Sequence, residues 1–163
     1  LNDVVGCREG YARLAQALPA DARDVLDLGC GSGILSIAAL RLGAESAFAC
    51  DIDEKCVDVA YENAALNGIG KDRYTVRWGN VLTDAALRQE MGAGYDIVVA
   101  NIVADVIMGL SPHVRPFLKP GGLFLCSGII DDRAAEVLEK LKADGWDVFE
   151  QRSSEGWFSY LCK

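Results

Sequence analysis

Two kinds of stretch alternate along this chain. Short runs that are wholly apolar, or apolar at every second position, predict strands; longer stretches with apolar residues three and four apart predict helices. A helical stripe runs from Arg8 to Leu18, with Tyr11, Leu14, Ala15 and Leu18 on one face, and Pro19 with Ala20-Asp21 breaks it. Asp24 to Leu28 is a strand, Ile34 to Leu42 a helix, and Gly43 its stop. Ser46 to Cys50 is a second strand running into Asp51, and Asp53 is expected to cap a helix from Glu54 to about Leu66, ended by Asn67-Gly68. Tyr74 to Trp78 alternates as a third strand, and a short polar helix spans about Asp84 to Met91. Tyr95 to Asn101 is nearly all apolar and reads as a central strand covered on both faces. A helix after it carries Val103, Ile107, Leu110, Val114 and Phe117 at helical spacing. Lys119-Pro120-Gly121-Gly122 predicts a turn and Leu123 to Ser127 a fifth strand. Asp131 or Asp132 is expected to cap a helix bearing Ala134, Val137, Leu138 and Leu141, stopped by Gly145; Trp146 to Gln151 and Gly156 to Cys162 are the last two strands.

Regular strand–helix alternation predicts an α/β fold with a parallel, doubly wound sheet. The final two strands have only Ser153-Ser154-Glu155-Gly156 between them, so they must be antiparallel. The expectation is seven strands, mostly parallel, with one antiparallel strand near the C-terminus. One domain is expected over residues 1–163, with 1–23 as an N-terminal helical lead into the core. In such sheets ligands bind outside the carboxyl ends of the strands. Those ends carry Asp27 and Gly29, then Asp51, then Asn80, then Asn101.

Composition narrows the classes of partner. The net charge of −8 argues against a sequence-independent grip on nucleic acid, which needs a basic face. Six cysteines, at 7, 30, 50, 56, 126 and 162, form no C-x-x-C pair, and His113 is the single histidine, so zinc is not expected. Cys30, Cys50 and Cys126 sit in apolar or Gly-rich contexts and read as small buried hydrophobes. Free thiols without a disulfide framework point to a reducing, cytoplasmic setting, and no apolar run is long enough to span a bilayer.

The stretch with the most chemistry is Val25-Leu26-Asp27-Leu28-Gly29-Cys30-Gly31-Ser32-Gly33. A strand ends, three alternate glycines turn the chain, and a helix begins. The spacing is G-x-G-x-G rather than the dinucleotide G-x-G-x-x-G, and no G-K-[ST] follows to make a P-loop. By itself this is also an ordinary tight turn. Asp51, at the next strand end, lies about 20 residues on, where a carboxylate holds a ribose diol by accepting from both hydroxyls. Asp53 is better placed to cap the following helix, which leaves Asp51 for a ligand. Asn80 follows Gly79 at the third strand end, and Gly-Asn favours a plain turn there as well.

D-L-G-C-G-S-G with D-I-D at the next strand end resembles the class I S-adenosylmethionine-dependent methyltransferases, whose Rossmann-like sheet also carries one antiparallel strand. Asn101-Ile102-Val103-Ala104 in place of N-P-P-[YFW], then L-K-P-G-G and S-G-I-I-D at Ser127 to Asp131, is similar to the PrmA family; Gly145-Trp146 and Glu155-Gly156-Trp157 fit it too. That resemblance covers roughly Val25 to Lys163. It implies S-adenosyl-L-methionine as cofactor and a protein of the large ribosomal subunit, the one numbered eleven, as the partner methylated on amino groups. It places Gly29 at the cofactor's amino-acid portion, Asp51 at its ribose, and Asn80 and the backbone N–H of Val81 at its adenine. Asp27, Gly31, Gly33 and Ile52 fall among the same cofactor-binding positions. Asn101 falls beside the methyl-transfer pocket, although Asn is equally a good cap for the helix that follows. Two departures are expected: the chain has no room for the family's separate amino-terminal recognition domain, and Val4 to Gly10 stands where the family has F-G-T-G-T-H.

The chemistry so implied is in-line attack of a neutral amine on a sulfonium methyl, with alignment and exclusion of water supplied by the protein. No general base is evident. His113 reads as a surface or packing residue, and Trp157 as core. Other readings are a methyltransferase for a small molecule or RNA, a nicotinamide-dependent oxidoreductase, and a non-catalytic cofactor-binding module.

Overall fold

The structure is a computed structural model, and it describes residues 12–163. The segment Val4 to Gly10, the start of the first helical stripe and Cys7 lie outside the described residues. Residues 12–17 are helical (α1). Then follow β1 (Asp24–Leu28), α2 (Ile34–Arg41), β2 (Ser46–Asp51), α3 (Lys55–Leu66), β3 (Tyr74–Trp78), α4 (Ala85–Met91), β4 (Tyr95–Asn101), α5 (Ala104–Leu110), β5 (Leu118–Ile130), α6 (Asp131–Ala143), β6 (Val148–Ser154) and β7 (Trp157–Cys162).

The seven strands form one sheet in the order β3-β2-β1-β4-β5-β7-β6. All neighbours are parallel except β7, which runs against both β5 and β6. The period of two explains how one strand serves two cores. Leu26, Leu28, Val98, Phe124 and Cys126 face α4, α5 and α6. Val25, Ile97, Val99 and Leu125 face α1, α2 and α3. With both faces covered, the central strands can be apolar throughout. Chain direction across the sheet reverses between β1 and β4, which opens a crevice at their carboxyl ends.

The helix expected from Val103 through Phe117 stops at Leu110. Pro112 and Pro116 have no N–H to give, and two 3₁₀ turns, Ser111–His113 and Arg115–Phe117, replace its second half. The Lys119–Gly122 turn is absorbed into β5 as an irregular stretch, because Leu118 pairs with Tyr95 before the regular register starts at Ile97 and Leu123. Neither Asp131 nor Asp132 caps α6; both lie inside its first turn, where a carboxylate suits the positive end of the helix. Asp53 does receive the N–H of Lys55, at 3.0 Å, although α3 begins one residue later than expected.

α1 is fastened from afar. Arg13 is 1% exposed; its guanidinium donates to Ser159 Oγ at 3.1 Å and pairs with Glu150 at 3.3 Å. At the hairpin between β6 and β7, Glu155 and Gly156 both have positive φ, 50° and 82°, the turn that matches strand twist. Cys30, Cys50, Cys126 and Cys162 are free and buried. No helix among the described residues is long and apolar enough to cross a membrane.

Candidate functional site

Where β1 ends, the chain folds back on the tip of β2. The N–H groups of Gly29 and Cys30 both donate to the carbonyl of Cys50, at 2.9 and 3.1 Å. Gly29 has φ +75°, and a Cβ there would stand 2.5 Å from Ile102 Cγ2. A side chain at 29 would therefore have to displace that of Ile102, just past the end of β4. Gly33 opens α2 at φ +80°, and a Cβ would meet Tyr74 Oη at 2.8 Å.

Asp51 holds this turn from the second strand. Its Oδ2 accepts the N–H of Gly31 at 2.9 Å and its Oδ1 the N–H of Asp53 at 2.9 Å. The carboxylate is thus committed in part to the protein, but each oxygen has further lone-pair capacity and the residue lines the crevice. Asp27 is placed otherwise. It is 1% exposed, points toward α2, and accepts from Ser36 Oγ at 2.6 Å and Ser36 N at 3.2 Å. Burial raises its pKa from 3.8 to about 6, against the two Ser36 bonds, and the nearby charge of Asp51 adds to the rise.

The crevice encloses about 310 Å³. Leu28, Gly29, Cys50, Asp51 and Ile52 form one wall; Gly79, Asn80, Val81 and Leu82 form the second; Ile102, Val103, Val106 and Leu110 form the third. Of the residues singled out in the sequence, it brings together Gly29, Asp51, Ile52, Asn80 and Val81. Asp27, Gly31, Gly33 and Asn101 do not line it. The lining is mostly aliphatic, with Asp51 and Cys50 as its ionisable groups. The Cys50 thiol is pushed up to about 12, by burial first and then by the charge of Asp27, so that wall stays neutral. Asn80 lines the crevice and also turns the chain, its Oδ1 accepting Leu82 N at 3.0 Å. Ile52 is 72% exposed at the mouth beside Trp78, 60% exposed, whose indole N–H donates to the Ile52 carbonyl at 3.1 Å.

Asn101 ends β4, one residue before the third wall. Its Oδ1 accepts from Ser127 Oγ at 2.9 Å. The sequence marked Asn101 as a site residue, Ser127 only as the start of S-G-I-I-D and Trp78 only as a strand residue; a serine closing a strand and a tryptophan in an alternating one carry no local sign of what they touch. His113 is exposed in a 3₁₀ turn, and neither it nor the half-buried Trp157 lines the crevice. A larger hollow of about 500 Å³ lies outside α2 and α3, lined by Ser32, Ile34, Arg41 and Asn63 among others. It reaches the glycine turn at Ser32 but takes in none of Gly29, Asp51, Asn80 and Val81, so the smaller crevice, where those strand-tip groups meet, is the better candidate.

Residues 11–163 match the family model for ribosomal protein L11 methyltransferase (PrmA). The chain belongs to the PrmA family. It is 44% identical over 144 residues to the ribosomal protein L11 methyltransferase of Agathobacter rectalis, which is 88% of this chain and 45% of that protein. Against its namesake in Desulforamulus reducens it is 44% identical over 138 residues, 85% of this chain and 42% of that one. The PrmA-family chain described here thus spans less than half the length of these curated relatives. The crystal structure of a ribosomal protein L11 methylase from Lactobacillus delbrueckii subsp. bulgaricus superposes with a TM-score of 0.84 at 28% identity, covering 96% of this chain and 77% of that one. The glycopeptide N-methyltransferase MtfA, solved with S-adenosylmethionine, shares the fold at a TM-score of 0.71 and 19% identity, over 96% of this chain and 93% of its own.

Proposed function

We propose that this chain binds S-adenosylmethionine in the crevice and transfers its methyl group to an amino group of a ribosomal protein, in the reducing cytoplasm. The observation that carries the reading is that Gly29, Asp51, Asn80 and Val81, from three strand tips, meet in one crevice of a chain matched by the PrmA family model almost throughout. The residues present fit the group. Gly29 lines the crevice with main chain alone, which suits the amino-acid portion, while Ile102 fills the side where its side chain would stand. Asp51 offers acceptor capacity to a ribose diol. Leu28, Val81, Leu82 and Val106 offer an aliphatic slot to a flat purine, and the Asn80-Val81 turn presents main-chain groups at its edge.

S-adenosylmethionine supplies an electrophilic methyl on a sulfonium. The chain's part is alignment, to about 3–3.5 Å between reacting atoms, and exclusion of water by the aliphatic walls. The acceptor amine must be neutral, and burial against such walls lowers the pKa of an ammonium from its usual ~10.4. The lining offers no evident base for that proton: burial keeps the Cys50 thiol neutral, and the acceptor capacity Asp51 has left beside Gly31 and Asp53 is assigned in this reading to the ribose.

Two measurements test the reading. Calorimetric titration should give saturable binding of S-adenosylhomocysteine and none of NAD; the reverse result assigns the crevice to a nicotinamide cofactor. Labelled methyl from S-adenosylmethionine should then appear on ribosomal protein L11, and its absence despite binding makes this chain a cofactor-binding module.

A further inference from the structure

The second wall of the crevice turns at Asn80-Val81, and the polar groups of that turn can be followed one by one. The Asn80 carbonyl accepts the N–H groups of Thr83 and Asp84, at 3.1 and 2.8 Å, so 80–83 is a β-turn with Val81 and Leu82 at its centre. Asn80 Oδ1 takes the N–H of Leu82, as described above. The Val81 carbonyl accepts from Arg88 Nη1, which reaches back from α4, at 2.7 Å. Arg88 is half-buried, and among the described residues no carboxylate pairs with it. Its charge faces a main-chain oxygen, and such a charge-assisted bond is stronger than one between neutral groups.

One polar group is left over. Among the described residues the Val81 N–H meets no acceptor. In a trans peptide N–H and C=O point opposite ways, so this N–H is directed away from the start of α4, where the Asn80 carbonyl points. Val81 is 9% exposed, and the open space it borders is the crevice. With the carbonyls of Asn80 and Val81 both engaged and one N–H free, the main chain of the turn acts as a donor. A base whose edge meets it must bring an acceptor nitrogen. Adenine has one, and hypoxanthine carries an N–H in its place.

We propose that Arg88 is a positioning residue for the base of the bound nucleoside, acting through the Val81 carbonyl. The proposal rests on the reading of the crevice given above. A guanidinium only donates and a carbonyl only accepts, so the direction of the bond is fixed. Arg88 itself does not line the crevice. It ties the peptide beside the free N–H to α4, whose Leu87 and Met91 are buried in the core, and so holds that donor in one place. Without it the Val81 carbonyl is an unpaired acceptor at the crevice wall, able to receive an N–H from the wrong base. Arg88 therefore adds both to affinity for adenine and to rejection of hypoxanthine.

The test is calorimetric titration with S-adenosylhomocysteine and with S-inosylhomocysteine, in which hypoxanthine replaces adenine; the urea midpoint of each variant is read alongside. The unmodified chain is expected to prefer the adenine compound by about tenfold or more. R88M keeps the apolar stem and removes the donor; it is expected to weaken S-adenosylhomocysteine about tenfold and to bring the ratio of the two dissociation constants toward one. R88K keeps a donor on a shorter arm and is expected to recover part of both. V81P deletes the N–H with a residue that suits the second place of a β-turn, and is expected to abolish the preference. R88K and V81P read the same ratio should R88M unfold. Full affinity and preference in R88M overturn the proposal, as does equal weakening of both compounds with the ratio kept, which marks a merely structural arginine. A V81P variant that still prefers adenine overturns it by removing the N–H from recognition. No binding of S-adenosylhomocysteine to the unmodified chain is a different failure, that of the crevice reading itself.

Discussion

Asp27 and Asp96 are buried carboxylates on neighbouring strands, one near the carboxyl end of β1, the other near the amino end of β4. Their surroundings are opposite in kind. Asp96 accepts the N–H groups of Arg23 and Asp24, both at 2.9 Å, and pairs with Lys119. Burial pushes its pKa up, but the Asp24 N–H, the Lys119 ammonium and the Arg23 N–H outweigh it and hold the group below the usual carboxylate range. Among the described residues Asp27 has no cationic partner, only Ser36, and burial prevails. The amino edge of the sheet is thus electrostatically closed and serves stability. The carboxyl edge keeps two acids close together, Asp27 and Asp51, and no cationic side chain among the described residues pairs with either. Such unrelieved charge beside a crevice is what a site for a cationic ligand retains and what a purely structural edge would lose.

If that contrast is right, changes at the amino edge cost stability and changes at the carboxyl edge cost binding. The largest effect is expected from D96A. It leaves two backbone N–H groups unpaired and should lower the unfolding free energy by about 3 kcal/mol, read by urea denaturation, with the affinity of the folded protein for S-adenosylhomocysteine unchanged. Asp27 comes next, through pH. Its folded pKa lies above its unfolded one, so the folded state binds the extra proton between 3.8 and about 6, and stability is lost as pH rises through that window. The loss should be on the order of 2–3 kcal/mol and should vanish in D27N. Asp96, its pKa lowered, contributes in the opposite sense, with stability lost only as pH falls below the ordinary carboxylate value. The smallest effect is D51N, expected to weaken S-adenosylhomocysteine binding about tenfold, or ~1.4 kcal/mol, by calorimetry, with little change in the urea midpoint. A D51N variant that unfolds easily yet binds normally would erase the distinction between the two edges.

The sheet and its crevice could be read from the residues because their signals are local. Apolar runs at β1 and β4 announce strands covered on both faces, and the glycines after Leu28 announce a turn. The break in the helix after β4 escaped because Val114 and Phe117 keep their apolar spacing through the 3₁₀ turns, so periodicity passes over Pro112 and Pro116. Arg13 and Ser127 escaped for another reason. Their partners, Ser159 with Glu150 and Asn101, lie 146, 137 and 26 residues away, and no window along the chain contains both ends of such a bond. Asn80 remained divided between turn and ligand because it does the first while lining the space for the second.

The bond from Gly31 N to Asp51 has a consequence for how a ligand is captured. The protein's own bonds tie the glycine turn to the second strand, so conformational entropy of that loop is spent on folding. A nucleoside entering the crevice then has that much less of the turn to order.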